Sequence, residues 1–261
     1  MKKPTTKQLK DKQGRLMIAG VLLVSAVFFG MALYLSKSAV ARSHVDGCPV
    51  DERDINGEVI LLVDASDPLT LYQQQRLDRL IDKMKVTLQP EEHVTLYKLT
   101  DEKGELLEPV FEGCSLDSGK NANQLYENPE QIQKSFEKNF AKPLKDQFKK
   151  IELNSQMKTS PLIEAINLAA QRMIESDVHH KRLIIMPDML QNSSMGNQYS
   201  PHALDQKKAF AKIRGHLQGV EVQVVYLNNI KSRDLQTDSH QRFWKEFFKA
   251  ARAKSVRLSV V

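Results

Sequence analysis

Apolar and polar positions alternate along this chain in a pattern that separates strands from helices. Val59–Val63 and Leu183–Met186 are uninterrupted apolar runs, and each is followed within two residues by a carboxylate, Asp64 or Asp188. Short continuous apolar runs of this kind read as parallel strands buried on both faces. Leu69, Leu77, Leu80, Ile81, Met84 and Leu88 recur at helical spacing, so an amphipathic helix is expected there. His93–Leu99 and Leu106–Phe111 read as strands joined by the turn residues Asp101–Gly104, which makes a hairpin. From Pro129 a helix is expected, with Ile132, Phe136, Phe140, Leu144 and Phe148 on one stripe. Thr159-Ser160 offers a cap and Pro161 a first helical position for the helix through Met173. A polar loop over Gln191–Ser200, a helix from Pro201 to Leu217 and a strand over Val220–Leu227 follow. A closing helix around Phe243–Ala251 and a last strand over Val256–Val261 complete the set.

Strands alternating with helices predict an α/β fold: a doubly wound, mostly parallel sheet with helices on both faces and one antiparallel edge strand. The first forty residues add a separate element. Leu16–Leu35 carries no formal charge and, at about 1.5 Å per residue, measures roughly 30 Å, the thickness of a bilayer core. Six Lys/Arg precede it and two follow closely, which predicts a retained transmembrane helix with a cytoplasmic N-terminus. The expected organisation is a basic tail over 1–15, a transmembrane helix over 16–35, a tether over 36–57 and an α/β domain over 58–261. The expected location is the inner membrane, single-pass, with the C-terminal domain periplasmic or extracellular.

Charge narrows the partners. The chain carries a formal net charge of +6, but residues 1–42 hold eight Lys/Arg against Asp11 alone, so the domain that follows is nearly neutral. Nucleic-acid binding would need a basic patch on that domain, and the pattern offers only local, compensated clusters. Two cysteines, Cys48 just before the first strand and Cys114 after the expected hairpin, are expected to pair as a disulfide on the exported side.

The two strand-end carboxylates, with hydroxyls at Ser66 and Thr159, form a set of oxygen ligands suited to a hard cation such as Mg²⁺. In order and context these segments resemble the von Willebrand factor A family and its metal-ion-dependent adhesion site. That site uses Asp-x-Ser-x-Ser at a strand end, a Thr before a later helix, and an Asp after a following strand. The resemblance runs from about Val59 to Val261 and implies metal ligands at Asp64, Ser66, Thr159 and Asp188. Pro68 stands where the motif has its last Ser, so one oxygen is missing and the site is degenerate. The resemblance also implies a protein-binding module, with the loops at Asp67 and Asn192 facing the partner and no catalysis of its own. A scaffold or assembly component of an envelope-associated complex is the expected role.

Enzymatic readings fit less well. A haloacid-dehalogenase-like phosphatase needs Asp-x-Asp, whereas Ser66 occupies the second position. Ser118-Gly-Lys120 lacks the glycine spacing and the following hydroxyl of a phosphate loop. Ser66 as a nucleophile would need a positioned base, and no histidine lies in a supporting motif. A metal-dependent hydrolase built on the two carboxylates is the enzymatic alternative.

Overall fold

The computed structural model describes residues 6–37, 40–43, 45–64, 70–100, 107–123, 127–153, 159–200 and 205–260. They fall into two units, Met1–Ala41 and Arg42–Val261. The first is a single helix, α1, over Thr6–Lys37. Its side chains from Met17 to Met31 are exposed, Met17 at 74% and Phe28 at 72%. Among the described residues no helix is long and apolar enough to cross a membrane. That finding corrects the expected transmembrane anchor over 16–35 and the inner-membrane, single-pass location derived from it.

The second unit contains β1 (Gly57–Val63), α2 (Leu71–Thr87), β2 (Glu92–Leu99), β3 (Leu107–Cys114), α3 (Pro129–Phe136), α4 (Lys142–Leu153), α5 (Leu162–Glu175) and β4 (His180–Met186). The short strands β5 (Asn192–Ser193) and β6 (Gly196–Asn197), then α6 (Gln206–Ile213), β7 (Val220–Tyr226), α7 (Asp238–Ala250) and β8 (Ser255–Val260) follow. Six strands form one sheet in the order β3-β2-β1-β4-β7-β8. All neighbours are parallel except β2 and β3, the expected hairpin.

The central pair explains the apolar runs. β1 lies between β2 and β4, and Val59 to Val63 are at most 4% exposed. Side chains of a strand alternate between faces, so both faces of β1 must be apolar. Ile60 and Leu62 join one core with α5, α6 and α7; Val59, Leu61 and Val63 join the other with α2, α3 and α4.

Local chemistry sets the helix boundaries. Thr70 opens α2 with a reciprocal capping box to Gln73, and Asn128 caps α3 ahead of Pro129. The helix expected from Pro129 is interrupted by one π turn, Glu137–Ala141, which keeps Phe136, Phe140, Leu144 and Phe148 buried on one side. Two expectations change here. The loop over 191–200 holds the β5–β6 hairpin, and α6 stops at Ile213, where Gly215 and Gly219 take positive φ values of 80° and 83°.

Residues 42–57, read as a tether, pack onto the domain. Cys48 and Cys114 form a disulfide, with Cα atoms 4.7 Å apart, as the sequence led us to expect. Arg42 grips Glu91 through both guanidinium nitrogens, and the Cys114 amide donates to the Asp46 carbonyl.

Candidate functional site

The chain runs outward from β1 to β2 and β3, then returns to β4 and proceeds the other way through β7 and β8. The order therefore reverses between β1 and β4. Such a switch point opens a crevice beyond the carboxyl ends of the strands, because the connecting loops diverge to opposite sides. Val63 pairs with Met186 at the ends of these two strands, and Asp64 and Asp188 follow directly. The sheet register thus brings the two carboxylates to one crevice.

Both are buried, at 6% and 8% exposure. Ser160 Oγ donates to Asp64 Oδ2 at 2.5 Å. Asp188 Oδ1 accepts from the Leu190 amide at 2.8 Å, and its Oδ2 accepts from Asn229 Nδ2 at 2.9 Å. Asp188 therefore pins the loop after β7 to the end of β4. Gln236 Nε2 reinforces this loop by donating to the carbonyls of Asp188 and Leu227, each at 2.8 Å.

The sequence placed a hydroxyl on this cluster, and the residue in contact is Ser160; the neighbouring Thr159 is half-buried. Ser160 also exchanges two backbone hydrogen bonds of 2.8 Å with Asn192. Asn192, expected on a partner-facing loop, is half-buried and belongs to β5. Ser66, Asp67 and Pro68 lie outside the described residues. The Thr159-Ser160 cap expectation is corrected: α5 begins at Leu162 after Pro161 without a side-chain cap from either hydroxyl. Gln191 takes that role from a distance, its Oε1 accepting from the Ile163 amide at 2.8 Å.

Gln191 was not singled out by sequence, yet it is fully buried and organises one wall of the crevice. Its Nε2 donates to Glu164 Oε2 at 2.9 Å, and Ser193 Oγ donates to the other oxygen of Glu164. The one available signal was an acid in the first turn of α5, which suits the helix dipole. Nothing local in the sequence pairs Glu164 with a glutamine that far along the chain.

Behind the β4 end lies a histidine that periodicity alone would assign to a helix face. His240 Nδ1 accepts from Tyr226 Oη at 2.7 Å, while its Nε2 faces the Met189 carbonyl at 3.0 Å. Trp244 Nε1 donates to the same carbonyl at 2.8 Å. This pattern assigns a neutral ring with the proton on Nε2. Burial lowers the His240 pKa to about 4, and burial, with Asp188 nearby, raises that of Tyr226. Met189, whose carbonyl receives both donors, sits at φ 64°, so the network fixes an unfavourable backbone conformation directly after Asp188.

The donors around the crevice test the cation expectation. Asp64 and the hydroxyls are hard oxygen donors, but both oxygens of Asp188 already accept from protein N–H groups. Among the described residues no group of three His, Cys, Asp or Glu side chains is placed to hold a metal ion. The described part of the set, Asp64, Ser160 and Asp188, forms hydrogen-bonded ties between the strand ends and the neighbouring loops.

No family model and no curated protein matches the sequence. Solved structures do. The chain is similar to the SpRpn10 VWA domain, at 12% identity over 79% of this chain and 88% of that one, TM-score 0.44. It is also similar to BatB from Bacteroides thetaiotaomicron, at 15% identity over 78% and 91%, TM-score 0.40. An aerotolerance-related membrane protein from Bacteroides fragilis aligns at 13% identity over 78% and 92%, TM-score 0.39. Von Willebrand A domains are thus among the solved structures to which the chain is similar. The likeness is one of fold.

Proposed function

We propose that this von Willebrand A-like domain is a protein-binding module, acting as a scaffold or assembly component with no catalysis of its own. The supporting observation is the switch-point crevice itself, where Asp64 and Asp188 are held by the neutral donors Ser160, Leu190 and Asn229. A hydrolase working through these carboxylates would need an oxygen kept for a cation or a base aimed at a nucleophile. Here the carboxylates rigidify the loops, and His240 is committed to Tyr226 and Met189. Rigid loops rich in Asn, Gln and Ser present fixed hydrogen-bonding groups to a partner at low ordering cost.

The reading is tested by placing a photo-crosslinking residue at Ser193 in the full chain, in cells. One discrete protein adduct that disappears on Asp64→Ala is expected. Phosphoester turnover by the purified chain with Mg²⁺, abolished by Asp64→Ala, would instead establish the hydrolase.

A further inference from the structure

The two edges of the main sheet are β3 and β8. An edge strand presents unpaired N–H and C=O groups, and proteins ordinarily blunt it with proline, bulges, charges or a covering segment. β3 has all of these. It carries Glu108, Pro109 and Glu112, and its pairing with β2 shifts register between Leu96 and Tyr97. The segment before β1 is tied to it by the Cys48–Cys114 disulfide and by the bond from the Cys114 amide to the Asp46 carbonyl. β8 has no proline, no register shift against β7 and one charge, Arg257. Among the described residues no strand lies beyond it.

Register decides which groups of β8 lie open. The Leu227 amide donates to the Pro187 carbonyl beyond β4. Backbone groups of alternate residues in a strand turn to opposite neighbours, so Val220, Val222 and Val224 turn theirs to β8. In a parallel ladder a residue faces the two neighbours of its partner. Val222 is paired with Val256 and Val224 with Leu258, so they face Ser255, Arg257 and Ser259. Ser259 Oγ, donating to the Val224 carbonyl at 3.3 Å, agrees. Val256, Leu258 and Val260 therefore aim their N–H and C=O groups away from the sheet. Their side chains lie on the face of Val222 and Val224, where Leu258 packs against the core. Val256 and Val260 remain 38% and 45% exposed.

We propose that β8 pairs, antiparallel, with β8 of a second copy of this chain across a two-fold axis at Leu258. This register sets Leu258 against itself and Val256 against Val260 twice, so all three outward residues exchange both backbone bonds. Their side chains meet on one face as an apolar cluster, and on the other face Arg257 meets Ser259. Moving the axis one residue back, to Arg257, opposes two guanidinium groups directly, which is destabilising, and sets Val260 against Lys254. Moving it one residue forward leaves Val256 outside the partner's strand. The strand is thus complementary to itself in one register, as an isologous contact requires. An unrelated extended segment would meet the backbone groups, but the match of Val256 to Val260 and the uncharged place opposite Arg257 are supplied by β8 itself. The edge lies two strands from β4, and the proposal stands whether or not the strand-end crevice binds protein.

The test is oxidative cross-linking of the full chain, whose own two cysteines are bonded to each other. In this register Arg257 of one copy and Ser259 of the other form a non-hydrogen-bonded pair with Cα atoms about 4.5 Å apart, within the span of a disulfide. Mixing differently tagged Arg257→Cys and Ser259→Cys chains should give a mixed dimer at least tenfold faster than either variant dimerises alone, because like positions lie two residues out of register. Val256→Lys, a charge on the apolar face of the edge, should suppress the mixed dimer at least tenfold, and Val256→Thr should retain it. Circular dichroism checks that the variants are folded; if Val256→Lys unfolds, the ratio of mixed to unmixed dimers still decides. No mixed dimer, equal cross-linking in the unmixed samples, or a mixed dimer that survives Val256→Lys in folded protein would overturn the proposal. So would a photo-crosslinking residue at Arg257 that captures only a different protein in cells.

Discussion

Ser160 and Asp64, separated by 96 residues in sequence, meet through a buried hydrogen bond of 2.5 Å at the switch point of the sheet. The bond ties the entry to α5 to the end of β1, and the bridge from Ser160 to Asn192 extends the tie to the β5–β6 hairpin. Removing the hydroxyl leaves a buried carboxylate with one donor fewer, at a cost of about 1–3 kcal/mol. Ser160→Ala should therefore lower the urea midpoint clearly, whereas Thr159→Ala should change it by about 0.5 kcal/mol or less. Equal losses for the two variants would show that Thr159 shares the role.

The disulfide gives a second expectation. It joins the segment before β1 to the end of β3 across 66 residues, a loop whose closure is worth about 4 kcal/mol in the chain-entropy model. The double variant Cys48→Ser, Cys114→Ser should lose stability on this scale and expose the 42–57 segment to protease. Stability unchanged within about 1 kcal/mol would mean that the Arg42–Glu91 pair and the Asp46 contacts hold the segment without the bridge.

Much of the sheet was legible because its strands are buried on both faces. Val59–Val63 and Leu183–Met186 have no polar alternative to a central position, and the turn after Thr100 announced the hairpin. The cysteines paired as expected because no third thiol competes. The crevice was less legible. Thr159 and Ser160 are adjacent hydroxyls, and only the backbone bridge to Asn192 decides which one faces Asp64. Gln191 caps α5 from across the fold, a long-range relationship that helix-start signals cannot carry. The open edge at β8 was hidden for a similar reason: Val256, Leu258 and Val260 read as the core side of a strand, and only the strand order shows that nothing described lies beyond them. The expected membrane location rested on the uncharged run Leu16–Leu35 and the charges flanking it, and no described helix is long and apolar enough to cross a membrane.

Acid should reveal the buried histidine. A base whose folded pKa is lowered binds fewer protons in the folded state than in the unfolded one, so its contribution is complete above the unfolded value near 6.5. That contribution is lost as pH falls toward about 4. The displacement corresponds to about 3 kcal/mol at most. His93 acts in the opposite sense: its hydrogen bond to Glu58 raises its pKa, stabilising the fold below about 6.5 and fading as pH rises through the folded value. Chemical denaturation from pH 7 to 4 should show a shallower decline for His240→Gln than for the parent chain, and a steeper one for His93→Gln. Parallel curves for the parent and His240→Gln would contradict the neutral, Nε2-protonated ring.

The last expectation concerns the cation. Mg²⁺ needs near-octahedral oxygen ligation at about 2.0–2.1 Å and gives up its waters reluctantly, so each missing protein ligand weakens a site. Pro68 removes one oxygen of the resembled motif, and Asp188 has both of its oxygens engaged by Leu190 and Asn229. Calorimetric titration of the purified chain with Mg²⁺ should therefore give no saturable heat in the micromolar range, and Pro68→Ser alone should not create one. Asn229→Ala releases one oxygen of Asp188, so the double variant Pro68→Ser, Asn229→Ala should bind more tightly than either single change. Asp64→Ala added to that pair should abolish the gain. Saturable micromolar binding by the parent chain, lost in Asp64→Ala, would mean that the Ser160 and Asn229 bonds rearrange to admit the ion.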